Sequence, residues 1–577
     1  MKYFYKLTAL LMMVFILAGC VPARNTADNP DFTAFTEELF RNEANSDSLT
    51  LNYTLSHPEN YGITNLPGGF HAFSYEDLKA SGLSLENLLA SMEETYDRDS
   101  LSLKQQILYD ILCDTLQSDI QDAEYAAFSG ALGPTTGIQA QLPVLLAEFR
   151  IGDKADLEQY FSLLTTVPEY FHSLLALEQK KKELGTLSSR TSLEHIISQC
   201  REFLQTGGFS VLTTTFDKKV MGFSFLSEDE KRSNISRHND CIRQYLLPAY
   251  QDLVNGLTEL LASAGEDGSL SSRPDGSSYY SHLVRRITGS SLSLDELEKI
   301  MAEKLGTAQK TLMDYAKKDP SLFSSCQNYV SNYPSPDSIL SALQERITAD
   351  FPQMADSTYE IKYVDKALED YLSPAFYLTP PLDDSRTNVI YINNSSRFDA
   401  SSLFNTLAHE GYPGHLYQTC YMHNKNLPKL RYLLDYGGYT EGWATYAEIY
   451  SYKYTGASKD EIGILRNNMI VSLCLYGLCD IGVHAHGWNR EELLSFLNRY
   501  GSWNSDTADS VYDAVADEPA SYLKYTVGYL EFMRLKEKMK EELGDAYSEK
   551  VFHTYVLDMG PAPFGILEKY IQKYKAL

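Results

Sequence analysis

The sequence feature that most constrains the fold of this chain is a pair of histidines with a proline and a glycine among the residues between them. They are His409 and His415, the ends of the segment HEGYPGH, and they are six residues apart. Six residues of regular α-helix turn through about 600°, which leaves the two side chains roughly 120° apart. One regular helix therefore cannot direct both rings at the same point. Because Pro413 removes a backbone donor and Gly414 tolerates unusual dihedral angles, we expect a distortion within this segment.

The residue types in this segment are those of a metal-ligand set. Neutral imidazole nitrogens bind zinc, and a neighbouring glutamate can accept a proton from water coordinated to the ion. We therefore predict His409 and His415 as zinc ligands and Glu410 as the general base. Histidine pairs of this kind usually lie about four residues apart. The longer spacing leaves open the alternative of a degenerate site that binds without turnover.

A glutamate farther along the chain is predicted to complete the ligand set. The segment TEGWATYAE, residues 440–448, contains two glutamates seven residues apart, which fall on nearly the same face of a helix. We assign Glu441 to the metal. Glu448 is assigned to the orientation of a histidine ligand or of the ligand helix. The alternative for Glu448 is an ordinary solvated helix acid.

The two segments resemble a bacterial family named domain of unknown function 885, whose members carry HExxPGH and EGWxxYAE. The similarity covers most of the chain after its N-terminal segment, including Leu270–Gly276 and the end of the chain at Gly560–Pro563. More distantly, the chain is similar to helical zinc peptidases of the gluzincin type, including thermostable carboxypeptidases. The resemblance implies a mostly α-helical fold with a deep cleft and the metal on its floor. This chain departs from the family pattern at Leu416, where family members commonly have a further histidine directly after the motif.

Four further residues are candidates for the reaction or for substrate binding. Tyr525 begins the family segment Tyr-x-x-Gly and can donate a hydrogen bond to an oxyanion, although a core tyrosine is the alternative. Arg466 can bind a substrate carboxylate or form a buried ion pair. His484, four residues after Asp480, can touch substrate or belong to a structural pair. Tyr391 lies on a predicted strand near the motif and is a candidate for substrate contact.

Apolar residues that recur at intervals of three and four predict helices over most of the chain from Phe32 onward. One strand is predicted at Asn388–Asn393 because the segment is rich in β-branched and aromatic residues. If it lies at a sheet edge, it can pair with an extended peptide. We therefore predict a mostly α fold, with a small β element next to the metal site. It forms one large domain over 32–577, with halves at about 32–380 and 381–577.

The first twenty residues predict export and membrane anchoring. Lys2 and Lys6 precede an apolar run that is too short for a comfortable membrane span but suits a signal peptide. The run ends in LAGC, which resembles the lipobox of bacterial lipoproteins, in which the cysteine is lipidated. We predict a signal peptide at 1–19, lipidation of Cys20 and a tether at 20–31, which places the protein outside the cytoplasm. An ordinary signal peptide and an uncleaved anchor helix are the alternatives.

The net charge argues against one class of partner, and the cysteine content argues against a disulfide-rich fold. The chain has 50 lysines and arginines against 77 acids, a formal net charge of −27. Such an excess repels phosphate backbones and makes nucleic acid an unsuitable partner. Eight cysteines in 577 residues do not form a disulfide scaffold. We expect most of those after Cys20 to be small buried hydrophobic residues.

Together these features predict a membrane-anchored, zinc-dependent peptidase whose partners are a peptide substrate and the membrane. Two other functions fit the same sequence. One is a lipid-anchored protein that binds a peptide or a metal without turnover. The other is a metallohydrolase acting on a non-peptide amide, since the pocket walls that select a substrate do not follow from the motifs.

Overall fold

The apolar patterns of the sequence fold into a predominantly helical protein with one small sheet. The computed structural model describes residues 27–573, except 206–207, 328–332, 334, 355–356, 365, 367–368, 370–372, 385–386 and 396–402. The predicted signal peptide and Cys20 lie outside the described residues. The helices are α1 (Pro30–Ala44), α2 (Ser48–Thr54), α3 (Tyr75–Thr95), α4 (Leu103–Glu124), α5 (Ile138–Glu148), α6 (Lys154–Leu184), α7 (Arg190–Gln205), α8 (Gly208–Gly222), α9 (Glu228–Cys241), α10 (Leu247–Leu260), α11 (Gly276–Thr288), α12 (Leu294–Lys318), α13 (Ser321–Gln327), α14 (Pro336–Arg346), α15 (Leu403–Glu410), α16 (His415–His423), α17 (Gly437–Ser451), α18 (Lys459–His484), α19 (Arg490–Leu497), α20 (Ser505–Asp517), α21 (Leu523–Leu543), α22 (Glu549–Met559) and α23 (Phe564–Tyr570).

Local sequence signals explain where several of these helices begin. Ser293 precedes α12, and its hydroxyl accepts a hydrogen bond from the amide of Glu296 while the Glu296 carboxylate accepts one from the amide of Ser293. The same reciprocal arrangement, made by Ser458 and Glu461, opens α18. Each such box satisfies backbone donors that a helix start leaves without partners.

The chain divides into two compact units, and the main boundary lies between Gly268 and Ser269. This boundary falls in the Ser/Gly/Asp-rich segment after α10 rather than near residue 380, where the sequence pattern suggested a division. The first unit comprises the chain up to Gly268 together with Pro381–Asp383 and Pro428–Leu433. In its core, α6 packs against α10 and α10 against α7, around fully buried aromatic side chains such as Phe161 and Tyr250.

The second unit comprises Ser269–Pro380, Asp384–Leu427 and Leu434–Leu577. Its closest helix pairs are α17 with α21 and α12 with α18, and α15 packs against α17. Among the described helices, α18 alone is long and apolar enough to cross a membrane on length and composition. It packs against α12, α20 and α21, which are the neighbours expected of a core helix.

The sheet belongs to the second unit and has three described strands in the order β1-β3-β2. They are β1 (Thr358–Tyr363), β2 (Ala375–Leu378) and β3 (Thr387–Ile392). The strand predicted from the sequence is β3, but it is the central strand, parallel to β1 and antiparallel to β2. The condition for peptide pairing at this strand is therefore not met, because both sides of β3 are already paired. The edge nearest the predicted site is β2.

The described cysteines have the structural role expected of them. All seven are free thiols, and six of them are buried, the exception being the half-buried Cys113.

Candidate metal centre

The segment HEGYPGH spans the junction of two helices, which explains the six-residue spacing. α15 ends at Glu410 and α16 begins at His415, with a cis peptide bond between Tyr412 and Pro413. The amide of Gly414 donates to the carbonyl oxygen of Ala408 at 3.0 Å. A β-carbon on Gly414 would lie only 1.7 Å from the carbonyl oxygen of His409, so this close approach requires glycine. The predicted distortion is thus a complete helix break.

The break brings both rings to the acid on α17. Oε2 of Glu441 lies 3.5 Å from Nε2 of His409 and 3.3 Å from Nε2 of His415. The two rings are nearly perpendicular, with centroids 4.8 Å apart. Two ligand atoms that are each about 2.1 Å from one tetrahedral ion lie roughly 3.4 Å apart, so the observed separations fit a shared zinc ion. Donor type and spacing therefore agree with the predicted ligand set.

His409 lies between two carboxylates on one face of α17. Its Nε2 faces Glu441, and its Nδ1 lies 3.2 Å from Oε2 of Glu448. In the tautomer whose Nδ1 proton faces the Glu448 carboxylate, Nε2 carries the lone pair and can bind a cation. Burial alone lowers the pKa of His409, but the two carboxylates outweigh burial and hold this pKa well above its ordinary value. A cation at this point is therefore electrostatically favoured.

The carboxylate of Glu441 is strongly held in its charged form. Burial alone raises its pKa, but the hydrogen bonds with His409 and His415 and the nearby charge of Lys524 bring the pKa well below its ordinary value. The carboxylate of Glu441 is therefore anionic across the physiological pH range.

Glu410 is held by the edge of the sheet. The backbone amide of Tyr377, on β2, donates a hydrogen bond to Oε2 of Glu410 at 2.9 Å. The hydroxyl of Tyr377 donates to Oδ1 of Asn388 at 2.6 Å, which fixes β2 to β3 at this point. A carboxylate has room for about four hydrogen bonds, so the amide of Tyr377 leaves further acceptor positions on Glu410. The small sheet therefore lies next to the site as predicted, but it contacts Glu410 through β2 rather than through the predicted strand β3.

Glycines allow α17 and α21 to approach closely beside the cluster. A β-carbon on Gly528 would lie 2.1 Å from the carbonyl oxygen of Gly438 and 2.6 Å from Cα of Gly442. This contact explains the glycine in the Tyr-x-x-Gly segment, because any side chain there would collide with the backbone of α17. It places the first turn of α21 against the helix that carries Glu441.

That first turn contributes Tyr525 and Lys524. The ring centroid of Tyr525 lies 6.3 Å from that of His409, next to the cluster as predicted. Burial, followed by the charge of Glu441, raises the pKa of Tyr525, so its hydroxyl stays protonated and able to donate. Nζ of Lys524 lies 3.5 Å from Oε1 of Glu441 and 5.0 Å from the centre of the Tyr525 ring. Sequence reasoning missed Lys524, although its position directly before Tyr525 was a usable signal.

Three predicted substrate-binding residues have other contacts. Arg466 donates to the carbonyl oxygens of Ile449 and Tyr450 at 3.0 Å each and so supports the last turn of α17. Tyr391 is buried on β3 and stacks on Phe376 at 4.9 Å between ring centroids. These contacts assign both residues to the support of the elements around the site.

His484 is fully buried and contacts backbone groups through both ring nitrogens. Nδ1 accepts from the amide of Leu270, and Nε2 lies 2.8 Å from the carbonyl oxygen of Val515. Asp480, its predicted partner, instead accepts hydrogen bonds from the hydroxyl of Tyr280 and the amide of Ala520. This placement does not support a role for His484 in substrate binding.

Two solved structures share this architecture. One is a protein from Colwellia psychrerythraea described as a candidate lipoprotein, with a TM-score of 0.81 and 18% identity over 94% of this chain and 98% of that chain. The other, from Shewanella oneidensis, is described as a candidate lipoprotein of unknown function, with a TM-score of 0.68 and 15% identity over 94% of this chain and 99% of that chain. At these identities the likeness concerns the fold.

Sequence comparison assigns the family. No curated protein sequence matches the chain. The model of the family described as "Bacterial protein of unknown function (DUF885)" matches residues 62–571, which include the helix break, the α17 acids and the first turn of α21. The chain therefore belongs to the DUF885 family of bacterial proteins.

Proposed function

We propose that this protein is a zinc-dependent peptidase in which His409, His415 and Glu441 hold the ion. The observation that carries the proposal is the convergence of two imidazole nitrogens and one carboxylate oxygen within 4.8 Å of one another. Their types are those of catalytic zinc sites with two histidines and one glutamate, which keep a further position open. When bound, such an ion polarises a carbonyl group and lowers the pKa of a coordinated water molecule.

The position of Glu410 favours a hydrolase over a protein that only binds metal. It follows His409 directly, yet its carboxylate is held by the amide of Tyr377 and is not one of the three converging ligands. A carboxylate fixed beside a metal site is suited to accept a proton from the attacking water and to return it to the leaving amine. Tyr525, with its protonated hydroxyl next to the cluster, is suited to donate a hydrogen bond to the developing oxyanion.

The peptide substrate is proposed to lie along β2 rather than β3. β2 is a terminal strand of the sheet, and one of its amides points to Glu410. An extended chain that pairs with a sheet edge is held by backbone hydrogen bonds that every peptide offers. Pairing at this edge would bring a peptide bond next to the general base. This geometry favours a peptide over a non-peptide amide.

The first test is the variant Glu410→Gln, which keeps the size of the side chain and removes its basicity. We expect one equivalent of zinc in both the wild type and the variant, and a loss of peptide hydrolysis of about 10²–10⁴-fold in the variant. Zinc is measured by elemental analysis and hydrolysis with a peptide library. Glu303→Gln, at an exposed position of α12, serves as the control.

Two results would count against the proposal. Wild-type protein without an equivalent of zinc would remove the metal site from consideration. Zinc-loaded wild type that cleaves none of the library, while still binding peptides, would indicate the binding protein that the sequence left as an alternative.

We further propose that the protein is a lipoprotein anchored outside the cytoplasm through Cys20. The support is the LAGC segment at the end of the apolar run, which resembles a lipobox. The two similar structures are themselves described as candidate lipoproteins. A single acyl chain gives only weak membrane binding, so stable anchoring requires the additional chains that a lipidated cysteine carries.

A further inference from the structure

We infer that Lys524 is a positioning residue that makes Glu441 bind the ion through one oxygen only; the inference rests on the proposed metal site. The two oxygens of Glu441 have different partners. Oε2 faces the two histidine nitrogens at 3.5 and 3.3 Å. Oε1 faces the ammonium group of Lys524, whose Nζ lies 3.5 Å away. The carboxylate is thus oriented before any ion binds.

The number of oxygens that Glu441 contributes matters for the reaction. A carboxylate can bind a metal through one oxygen or through both. A second oxygen would occupy the position that a catalytic zinc site keeps for water or substrate. Turning Oε1 toward the ion would separate it from the ammonium group of Lys524. Because these side chains are only 22% and 24% exposed, water would replace that ion pair poorly.

The backbone fixes Lys524 in this place. It is the second residue of α21, and the contact of Gly528 with Gly438 and Gly442 holds that end of the helix against α17. The ammonium group also lies 5.0 Å from the centre of the Tyr525 ring, within the range of a cation–π contact. Lys524 therefore faces the oxygen of Glu441 that the two histidines do not contact.

The test compares cobalt-substituted forms of the whole protein, because the visible absorption of Co²⁺ weakens when its coordination number rises from four to five. The variants are Lys524→Met, Lys524→Gln and Lys524→Arg. Lys540→Met is the control, since Lys540 is an ion-paired lysine on the same helix, 2.6 Å from Glu537. Thermal unfolding shows whether each variant is folded. Two neutral variants are used so that the failure of one to fold does not decide the result.

We expect weaker absorption per bound cobalt and a lower kcat in Lys524→Met and Lys524→Gln, with KM little changed. Lys524→Arg should keep most of the wild-type absorption and most of the wild-type kcat. Lys540→Met should match the wild type in both quantities. Absorption equal to that of the wild type in the two neutral variants would overturn the inference. A raised KM confined to peptides with a free C-terminal carboxylate would also overturn it, because that result would assign Lys524 to substrate binding. Failure of the wild type to bind any metal would instead refute the proposed function, and the inference with it.

Discussion

At the scale of single residues, Glu448 acts on the site through His409. Its Oε2 lies 3.2 Å from Nδ1 of His409, the ring nitrogen that faces away from the converging ligands. We predict that Glu448→Ala weakens zinc binding by about 10–100-fold, because the ring loses the partner that sets its tautomer and orientation. Competition with a chromophoric chelator measures the change.

Glu448→Gln provides the matched control for that prediction. The amide oxygen of glutamine can still accept the Nδ1 proton, so zinc affinity should fall much less than in the alanine variant. Equal affinities in the wild type and Glu448→Ala would show that Glu448 is the ordinary helix acid that the sequence left as an alternative.

Asp480 offers a pH-dependent prediction away from the metal site. The side chain is fully buried, and this burial raises its pKa from 3.8 to about 7, against the opposing effect of its bonds from Tyr280 and Ala520. At a pH between these two pKa values, the folded state keeps a proton on Asp480 that the unfolded state releases. The stabilisation that comes from this bound proton is therefore present at low pH and is lost as the pH rises to 7. From pH 5 to pH 8 the wild type should lose about 3 kcal/mol relative to Asp480→Asn.

Denaturant unfolding of both proteins at the two pH values measures this difference. Asp319→Asn is the control, because hydrogen bonds from Ser321 lower the pKa of Asp319. Its contribution is already complete above its ordinary pKa, so the control and the wild type should keep a constant difference from pH 5 to pH 8. A constant difference for Asp480→Asn as well would contradict the prediction.

At the scale of elements, the contact of α17 with α21 depends on glycine. A β-carbon on Gly528 would meet the backbone of Gly438 at 2.1 Å, and the backbone cannot rotate away as a side chain could. We predict that Gly528→Ala costs roughly 1–3 kcal/mol of stability, as overpacking does, and also weakens zinc binding because α17 carries Glu441. Thermal unfolding and chelator competition measure the two effects.

Gly306→Ala is the control for that element. Gly306 lies within α12, where an added β-carbon would meet nothing within 4 Å. Alanine is the better helix former, so this variant should be neutral or more stable by up to about 1 kcal/mol. Similar effects at both positions would show that helix propensity, not the helix contact, governs Gly528.

Elements whose signals are local could be predicted from the sequence. The start of α12 follows from Ser293 and Glu296, and the helix break follows from Pro413 and Gly414 between the two histidines. The ligand set could be predicted because each member lies in a short segment of distinctive residue types. Such patterns depend on neighbours three to seven residues away, which a sequence displays directly.

Relations between distant segments could not be predicted in the same way. The order of the sheet, with β3 at the centre, depends on pairing with β1 and β2, whose short runs were not recognised as strands. The contact of Lys524 with Glu441 and that of Tyr377 with Glu410 join segments 83 and 33 residues apart in the chain. The sequence predicts that Arg466 binds a substrate carboxylate or forms a buried ion pair, because nothing local shows that it supports the end of α17.

At the scale of the whole molecule, the candidate metal centre is contained in one unit. The three candidate ligands, Glu410, Tyr377 and the first turn of α21 all belong to the unit that begins at Ser269. The long apolar helix α18 also lies there, packed against α12, α13, α19, α20 and α21. In the part of the chain that the structure describes, it is the one helix long and apolar enough to cross a membrane.

The attachment can be tested by Cys20→Ser in cells fed a labelled fatty acid. If Cys20 is lipidated, the wild type should carry the label, begin at Cys20 by mass spectrometry and sediment with membranes, because the acyl chains bind the bilayer. The variant should lose the label and leave the membrane fraction or remain as an unprocessed precursor. An ordinary signal peptide would give an unlabelled wild type outside the membrane fraction. An uncleaved anchor helix would give a full-length, membrane-bound protein in which Cys20→Ser changes nothing, and either result would refute the lipoprotein proposal while leaving the metal centre untouched.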